Sequence, residues 1–187
     1  DAGVDGIELN VSCPNVKKGG IVFGTDKKML GKLILKVKAS IKNSLLITKL
    51  SPNVSDIKEF ARIAEESGSD AISLINTIPG MAIDVKTRKP KIANIIGGLS
   101  GPAIKPIAVR MIYEAYGAVK IPIIGMGGIM NSEDAVEFML AGATAVAIGT
   151  ANFVNPMATL AIIRGMESFM KENGITDFKK LTGGLRC

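Results

Sequence analysis

Three times the chain repeats one phrase, a small-residue turn around a glycine that runs directly into a short apolar segment. The three copies are Asp1-Ala-Gly-Val-Asp, Glu66-Ser-Gly-Ser-Asp and Leu140-Ala-Gly-Ala-Thr. A glycine in such a turn closes a helix, because it enters the left-handed region without steric cost. The phrase therefore reads as the joint of a βα unit used repeatedly, and repeated βα units build a parallel sheet.

Periodicity places the units. Apolar runs bounded by turn residues predict buried parallel strands at 6–11, 45–50, 71–75, 122–125 and 145–148. Helical spacing occupies 26–42, 55–67, 101–116 and 132–141, and a last helix is expected at 156–172. Ser55 and Ser132 are the expected N-caps. Glu59 follows in one first turn, Glu133 and Asp134 in the other, where acids complement the helix dipole. Composition agrees: 47% hydrophobic residues, 4% aromatics and 21 glycines suit a Val, Ile, Leu and Ala core closed by many tight turns.

Five such strands fit an open doubly wound sheet or part of a (β/α)₈ barrel. Asn10, Lys49, Asn76 and Gly127 each fall at or just beyond the C-terminal end of a strand. An open sheet gathers its ligand at one switch point, whereas a barrel uses every strand end on that face. The expectation is an α/β fold of the TIM-barrel type, with residues 1–187 forming the C-terminal part of a single domain and holding about strands 4 to 8. The chain opens on Asp1 and enters a strand at once, so a longer polypeptide carrying the first three strands is expected.

Several function classes drop out. The formal charge is +6, but the lysines are spread over helical stretches such as 32–42 and 171–180, which reads as solvated surface rather than a nucleic-acid site. The chain has no His, which removes His-based triads, His metal sites and His general bases together. Its two cysteines, Cys13 and Cys187, are far apart and form no CxxC, so neither a disulfide framework nor a metal site is expected and a reducing cytoplasm fits. The first ten residues hold three acids and no apolar core of a signal peptide. No apolar run approaches the ~20 residues of a membrane span.

The chemistry-bearing segments lie at the strand ends. Ile124-Gly-Met-Gly-Gly-Ile129 and Ile148-Gly-Thr-Ala151 each lead from a strand toward a helix. Gly-rich turns after the last two strands of a barrel commonly receive a phosphate, so Gly127, Gly128, Gly149 and Thr150 are the candidates; a plain tight turn is the alternative. Lys49 ends a strand on the face shared by Leu45 and Ile47, directed into the barrel mouth. An ammonium there could stabilise a negatively charged ligand, or it could reach out to solvent. Cys13 follows a strand end and precedes a basic, glycine-rich stretch, as a mobile loop over a site would. Its thiol can take a proton when ionised, although a buried inert cysteine has the same appearance. Asn10, Asn15, Asn76 and Thr77 add groups that donate and accept, which matches the carbonyl and N–H edges of a flat heterocycle.

These segments carry a resemblance. Asn-Val-Ser-Cys-Pro-Asn-Val, Lys-Leu-Ser-Pro-Asn-Val, Ile-Asn-Thr-Ile-Pro-Gly-Met, Gly-Gly-Leu-Ser-Gly-Pro-Ala-Ile-Lys-Pro, Ile-Pro-Ile-Ile-Gly-Met-Gly-Gly-Ile and Ile-Gly-Thr-Ala-Asn-Phe occur in order over nearly the whole chain. Together they resemble class 1 dihydroorotate dehydrogenases. The stretch Asp84-Val-Lys-Thr-Arg-Lys-Pro90 before Gly-Gly-Leu-Ser-Gly is similar to subfamily 1B. That subfamily pairs an FMN-bearing catalytic chain with an iron–sulfur, FAD-containing subunit and passes electrons to NAD.

The resemblance implies oxidation of dihydroorotate to orotate in pyrimidine biosynthesis, in a dimer of catalytic chains. At matching positions it implies Cys13 as the base for the substrate C5 proton, with hydride passing from C6 to the flavin. Asn10 is implied to touch both substrate and FMN, Asn76, Thr77 and Asn15 the pyrimidine, and Lys49 the flavin ring. Backbone groups of Ile75 and Gly101 are implied to meet FMN, and Gly127, Gly128, Gly149 and Thr150 its phosphate. The family also uses residues of the first three barrel strands, which this sequence does not contain. Two alternatives stay open: a dihydropyrimidine dehydrogenase-like flavoenzyme sharing the Cys loop, and a non-catalytic barrel fragment acting in binding or assembly.

Overall fold

The computed structural model describes residues 3–11 and 20–186. Its centre is a parallel sheet of five strands, β1 (Gly6–Asn10), β2 (Leu45–Lys49), β3 (Ala71–Leu74), β8 (Ile123–Met126) and β9 (Ala145–Ala147). Their spatial order is β1-β2-β3-β8-β9, every neighbouring pair being parallel. Order in space thus follows order in sequence with no reversal. A doubly wound sheet reverses at its switch point, so this is the arrangement of five consecutive units of a (β/α)₈ barrel, as the strand-end polar residues led one to expect.

Helices α2 (Lys27–Ser40), α3 (Ile57–Glu66), α4 (Lys105–Tyr116), α5 (Ser132–Leu140) and α7 (Ala158–Glu172) alternate with the strands, joined by short α1 (Gly20–Thr25) and α6 (Ala151–Val154). They cover one face of the sheet. Leu46, Ile72, Leu74 and Ile123 point into that layer and are buried with Phe60, Ala64, Ile112 and Phe138. Gly125 belongs to this packing. A Cβ there would come within 2.8 Å of Phe138 Cδ1 and 2.9 Å of Ile112 Cδ1, so a side chain would push the helices off the strand.

The repeated glycine phrase does what its composition predicts. After α3, Gly68 (φ +99°) donates to Glu65 O and Ser69 to Ala64 O; after α5, Gly142 (φ +124°) donates to Met139 O and Ala143 to Phe138 O. Both are Schellman closures, which satisfy the last helical carbonyls and turn the chain toward the next strand. The N-caps differ from expectation by one residue. Asp56, not Ser55, accepts from Lys58 N, and Asn131, not Ser132, accepts from Asp134 N. The longer Asp and Asn side chains reach these amides from the last extended residue before each helix.

Between β3 and α4 the chain makes an excursion absent from the sequence expectation. Strand β4 (Ile78–Met81) pairs antiparallel with β7 (Ile96–Leu99), and β5 (Ile83–Asp84) with β6 (Lys89–Pro90). Asp84 Oδ1 accepts from Lys86 N and Thr87 N and so shapes the tip. A 3₁₀ turn at Pro102–Ile104 then enters α4, which starts later than the predicted residue 101. The excursion stands over the C-terminal ends of the sheet and supplies part of the site. No helix among the described residues is long and apolar enough to cross a membrane.

Candidate active site

A cavity of about 380 Å³ lies where the five strands end. Nine of the residues singled out by sequence line it: Lys49 from β2, Ile75, Asn76 and Thr77 after β3, Gly101 before α4, Gly127 and Gly128 after β8, and Gly149 and Thr150 after β9. Asn10 ends β1 beside Asn76, whose Nδ2 points to Asn10 Oδ1 at 3.5 Å. Cys13 and Asn15 lie outside the described residues. A larger groove of about 550 Å³ runs on the helix side, between α4 and α5. Its lining is largely apolar and includes none of the strand ends, so the chemistry belongs to the smaller cavity.

The polar end of the cavity is built on strand alternation. Leu46 and Thr48 face the helices and are fully buried, leaving Leu45, Ile47 and Lys49 on the opposite face. Lys49 projects there and its ammonium lies 3.7 Å from Glu8 Oε1 of β1. Glu8 Oε2 in turn accepts from the buried Ser73 Oγ at 2.7 Å. Three neighbouring strands thus hold one cation in place. Glu8 was not among the expected site residues. Its signal was available, since an acid within the run Gly-Ile-Glu-Leu-Asn is out of place in a buried strand unless a cation meets it.

On the next strand ends, Asn76 N donates to Leu50 O at 3.2 Å and Ile75 N to Met126 O at 3.0 Å, which pins the turn after β3 to both neighbours. Asn76 Oδ1 accepts from Thr77 N, so the amide group stands upright at the cavity wall. Strand β7 passes so close that a Cβ on Gly98 would overlap the Thr77 side chain. The excursion therefore fixes Thr77, and Gly98 is a second residue the sequence reading missed.

At the far end three glycine turns converge. Gly101 (φ +88°), Gly127 (φ +123°) and Gly128 (φ +85°) have backbones that L side chains rarely adopt. A Cβ on Gly128 would fall 2.7 Å from Gly101 O, so these two turns touch through bare backbone. Thr150 Oγ1 donates to Ser100 Oγ at 2.9 Å and brings the third turn alongside. Gly149 differs: a Cβ there would meet nothing within 4 Å. A cradle of backbone and hydroxyl groups with open space before it suits an anionic group such as a phosphate ester. The cation at the other end suits negative charge on a flat ring, and the amide and hydroxyl groups between them suit a polar heterocycle.

Comparison with known proteins gives this geometry a family. The family model for dihydroorotate dehydrogenase matches residues 2–170. A protein of Lachnoclostridium phytofermentans named dihydroorotate dehydrogenase B (NAD(+)), catalytic subunit, is 58% identical over 180 residues, covering 96% of this chain and 60% of that protein. Its namesakes in Alkaliphilus metalliredigens and Thermoanaerobacter pseudethanolicus are 56% and 57% identical, over 99% and 98% of this chain and 61% of each relative. The chain thus spans about 60% of the length of the curated relatives it matches. Among solved structures, the dihydroorotate dehydrogenase of Eimeria tenella in complex with ferulenol superposes with a TM-score of 0.81 at 22% identity, covering 96% of this chain and 54% of that one. That likeness shows the barrel fold, and the sequence matches over nearly the whole chain show that it belongs to the dihydroorotate dehydrogenase family.

Proposed function

We propose that the intact protein oxidises dihydroorotate to orotate in pyrimidine biosynthesis, with FMN in the cavity at the strand ends. The observation that carries this reading is the convergence of Lys49, Asn76, Thr77 and three glycine turns on one cavity, in a chain whose relatives are named for this reaction. The cavity also suits the cofactor: its glycine end is lined by backbone and hydroxyl groups, and its other end holds an ammonium paired with Glu8. FMN, when bound, supplies the acceptor for the hydride that leaves substrate C6.

The chain's own residues divide the remaining work. Gly127, Gly128, Gly149 and Thr150 hold the phosphate, while Ile75 and Gly101 meet the flavin through backbone groups. Lys49 keeps a positive charge against the ring, held by Glu8. Asn10, Asn15, Asn76 and Thr77 orient the pyrimidine. Cys13 takes the C5 proton, which its thiolate can do where no histidine is present.

The relatives' name, catalytic subunit with NAD(+), supports a partner. Electrons then leave through an iron–sulfur, FAD-containing subunit to NAD, in a dimer of catalytic chains in the cytoplasm. All of residues 1–187 belong to one barrel domain in this reading. A steady-state assay with dihydroorotate as donor tests it. Reduction of NAD⁺ by the two-subunit complex is expected, and turnover with fumarate but not NAD⁺ would overturn the assignment of acceptor.

A further inference from the structure

Next to the glycine cradle lies an ion pair whose two members the sequence did not join. Lys105, the first residue of α4, reaches across to α5 and places its ammonium 2.7 Å from Asp134 Oδ1 and 2.7 Å from Glu137 Oε2. Asp134 is the single charged side chain in the buried set of the described residues. Its second oxygen accepts from Met130 N at 2.8 Å, and its own N–H donates to Asn131 Oδ1. One buried carboxylate therefore closes the turn that follows Gly127 and Gly128 and receives the cation from the helix that follows Gly101.

The backbone of the same lysine touches the cradle. A Cβ on Gly128 would fall 2.9 Å from both Lys105 N and Lys105 Cβ, besides its 2.7 Å approach to Gly101 O. The two turns are thus joined twice, by close backbone contact and by the ion pair. An ammonium already met by two carboxylates has little charge to offer a third anion, so Lys105 is placed to set geometry rather than to bind phosphate itself. Burial alone would raise the Asp134 carboxyl, but hydrogen bonds from Lys105 and from the Met130 and Asn131 amides hold it below its ordinary value, so the pair is charged at neutral pH.

We propose that Lys105 and Asp134 are positioning residues for the phosphate end of the cofactor site, locking the Gly101 turn and the Gly127–Gly128 turn in register. The proposal rests on the phosphate reading of those turns. It predicts a specific defect: the ribityl phosphate loses its grip while the rest of the flavin does not.

The test is a fluorescence titration of the flavin-free, natural full-length protein with FMN and with riboflavin, which differ by the phosphate alone. Wild type should prefer FMN. Lys105→Met and Asp134→Asn should each weaken FMN by about tenfold or more while moving riboflavin far less, because small misplacements of binding groups are felt steeply. Lys105→Arg, which keeps the charge, should restore much of the preference. An FMN-to-riboflavin ratio unchanged in both variants would overturn the positioning role and leave the phosphate site intact. A wild-type protein with no preference would instead remove the phosphate reading, and this proposal with it. Asp134→Asn keeps an acceptor for Met130 N and decides the matter should Lys105→Met not fold; failure of both to fold would make the pair a folding determinant and overturn the proposal.

Discussion

The Lys49 ammonium lies 3.7 Å from Glu8 Oε1, while the other Glu8 oxygen is held by the buried Ser73 hydroxyl. The cation at the cavity is therefore partly balanced by an anion that lines the same cavity. The two charges should pull a bound flavin's potential in opposite directions. Lys49→Met is expected to lower the flavin midpoint potential and Glu8→Gln to raise it, each by tens of millivolts, since a unit charge beside a partly solvated ring is worth on the order of 1 kcal/mol. Spectroelectrochemistry of the two variants checks the signs; shifts of the same sign would sink the arrangement.

The glycine turns make a paired prediction. Gly149→Ala adds a Cβ that meets nothing in the protein, so the fold should be as stable as wild type while flavin affinity falls. Gly128→Ala forces a left-handed residue against Gly101 O and Lys105 N, so both stability and flavin affinity should fall, stability by roughly 1–3 kcal/mol. Urea unfolding beside flavin titration separates the two cases. Unchanged flavin affinity in Gly149→Ala would mean that the Gly149 turn does not face the cofactor.

Cys13→Ala should leave flavin binding unchanged and slow reduction by dihydroorotate by about 10²–10⁴, the usual range for a lost acid–base group. Rapid-mixing measurement of the reductive half-reaction reads this directly, and wild-type kinetics would remove Cys13 from the mechanism.

A pH dependence follows from the ion pair. The Asp134 carboxyl is held below its ordinary value, so its contribution to stability is complete above the unfolded-state pKa of ~3.9 and is lost as pH falls through the lower folded value. Lys105 is shifted the other way, chiefly by its hydrogen bonds to Asp134 and Glu137. Its contribution is complete below ~10.4 and lost as pH rises through the higher folded value. Glu137 shares the cation but is about half exposed, so solvent screens it. The stability gap between wild type and Asp134→Asn should hold steady from about pH 5 to about pH 8 and narrow below about pH 4. A gap that persists undiminished into acid would contradict the assignment.

The barrel units were legible because buried parallel strands and glycine-closed helices leave strong local patterns, as the two matching Schellman turns at Gly68 and Gly142 illustrate. The strand-end residues Lys49, Asn76 and Thr77 were legible for the same reason, since a polar group ending an apolar run has to go somewhere. The excursion was not. Its strands are two to four residues long and carry Pro79, Gly80, Pro90, Gly97 and Gly98, residues that locally signal turns, and their pairing is set by tertiary contact. The Glu8–Lys49 and Lys105–Asp134 pairings were missed because partners 41 and 29 residues apart leave no periodic trace; Glu8 is out of place in its strand and Asp134 reads as a first-turn acid, but nothing local names the counterpart of either. The cap shifts from Ser55 to Asp56 and from Ser132 to Asn131 reflect two adjacent capping residues at each site, which sequence alone ranks poorly.

The central claim, that this cavity serves dihydroorotate oxidation on a flavin, is tested most directly by an anaerobic titration of the intact purified protein with dihydroorotate while the flavin absorbance is followed. Bleaching in proportion to added dihydroorotate, with no response to dihydrouracil, is the predicted result. A yellow protein that bleaches with dihydrouracil and not with dihydroorotate, or one that takes up no FMN at all, would contradict it.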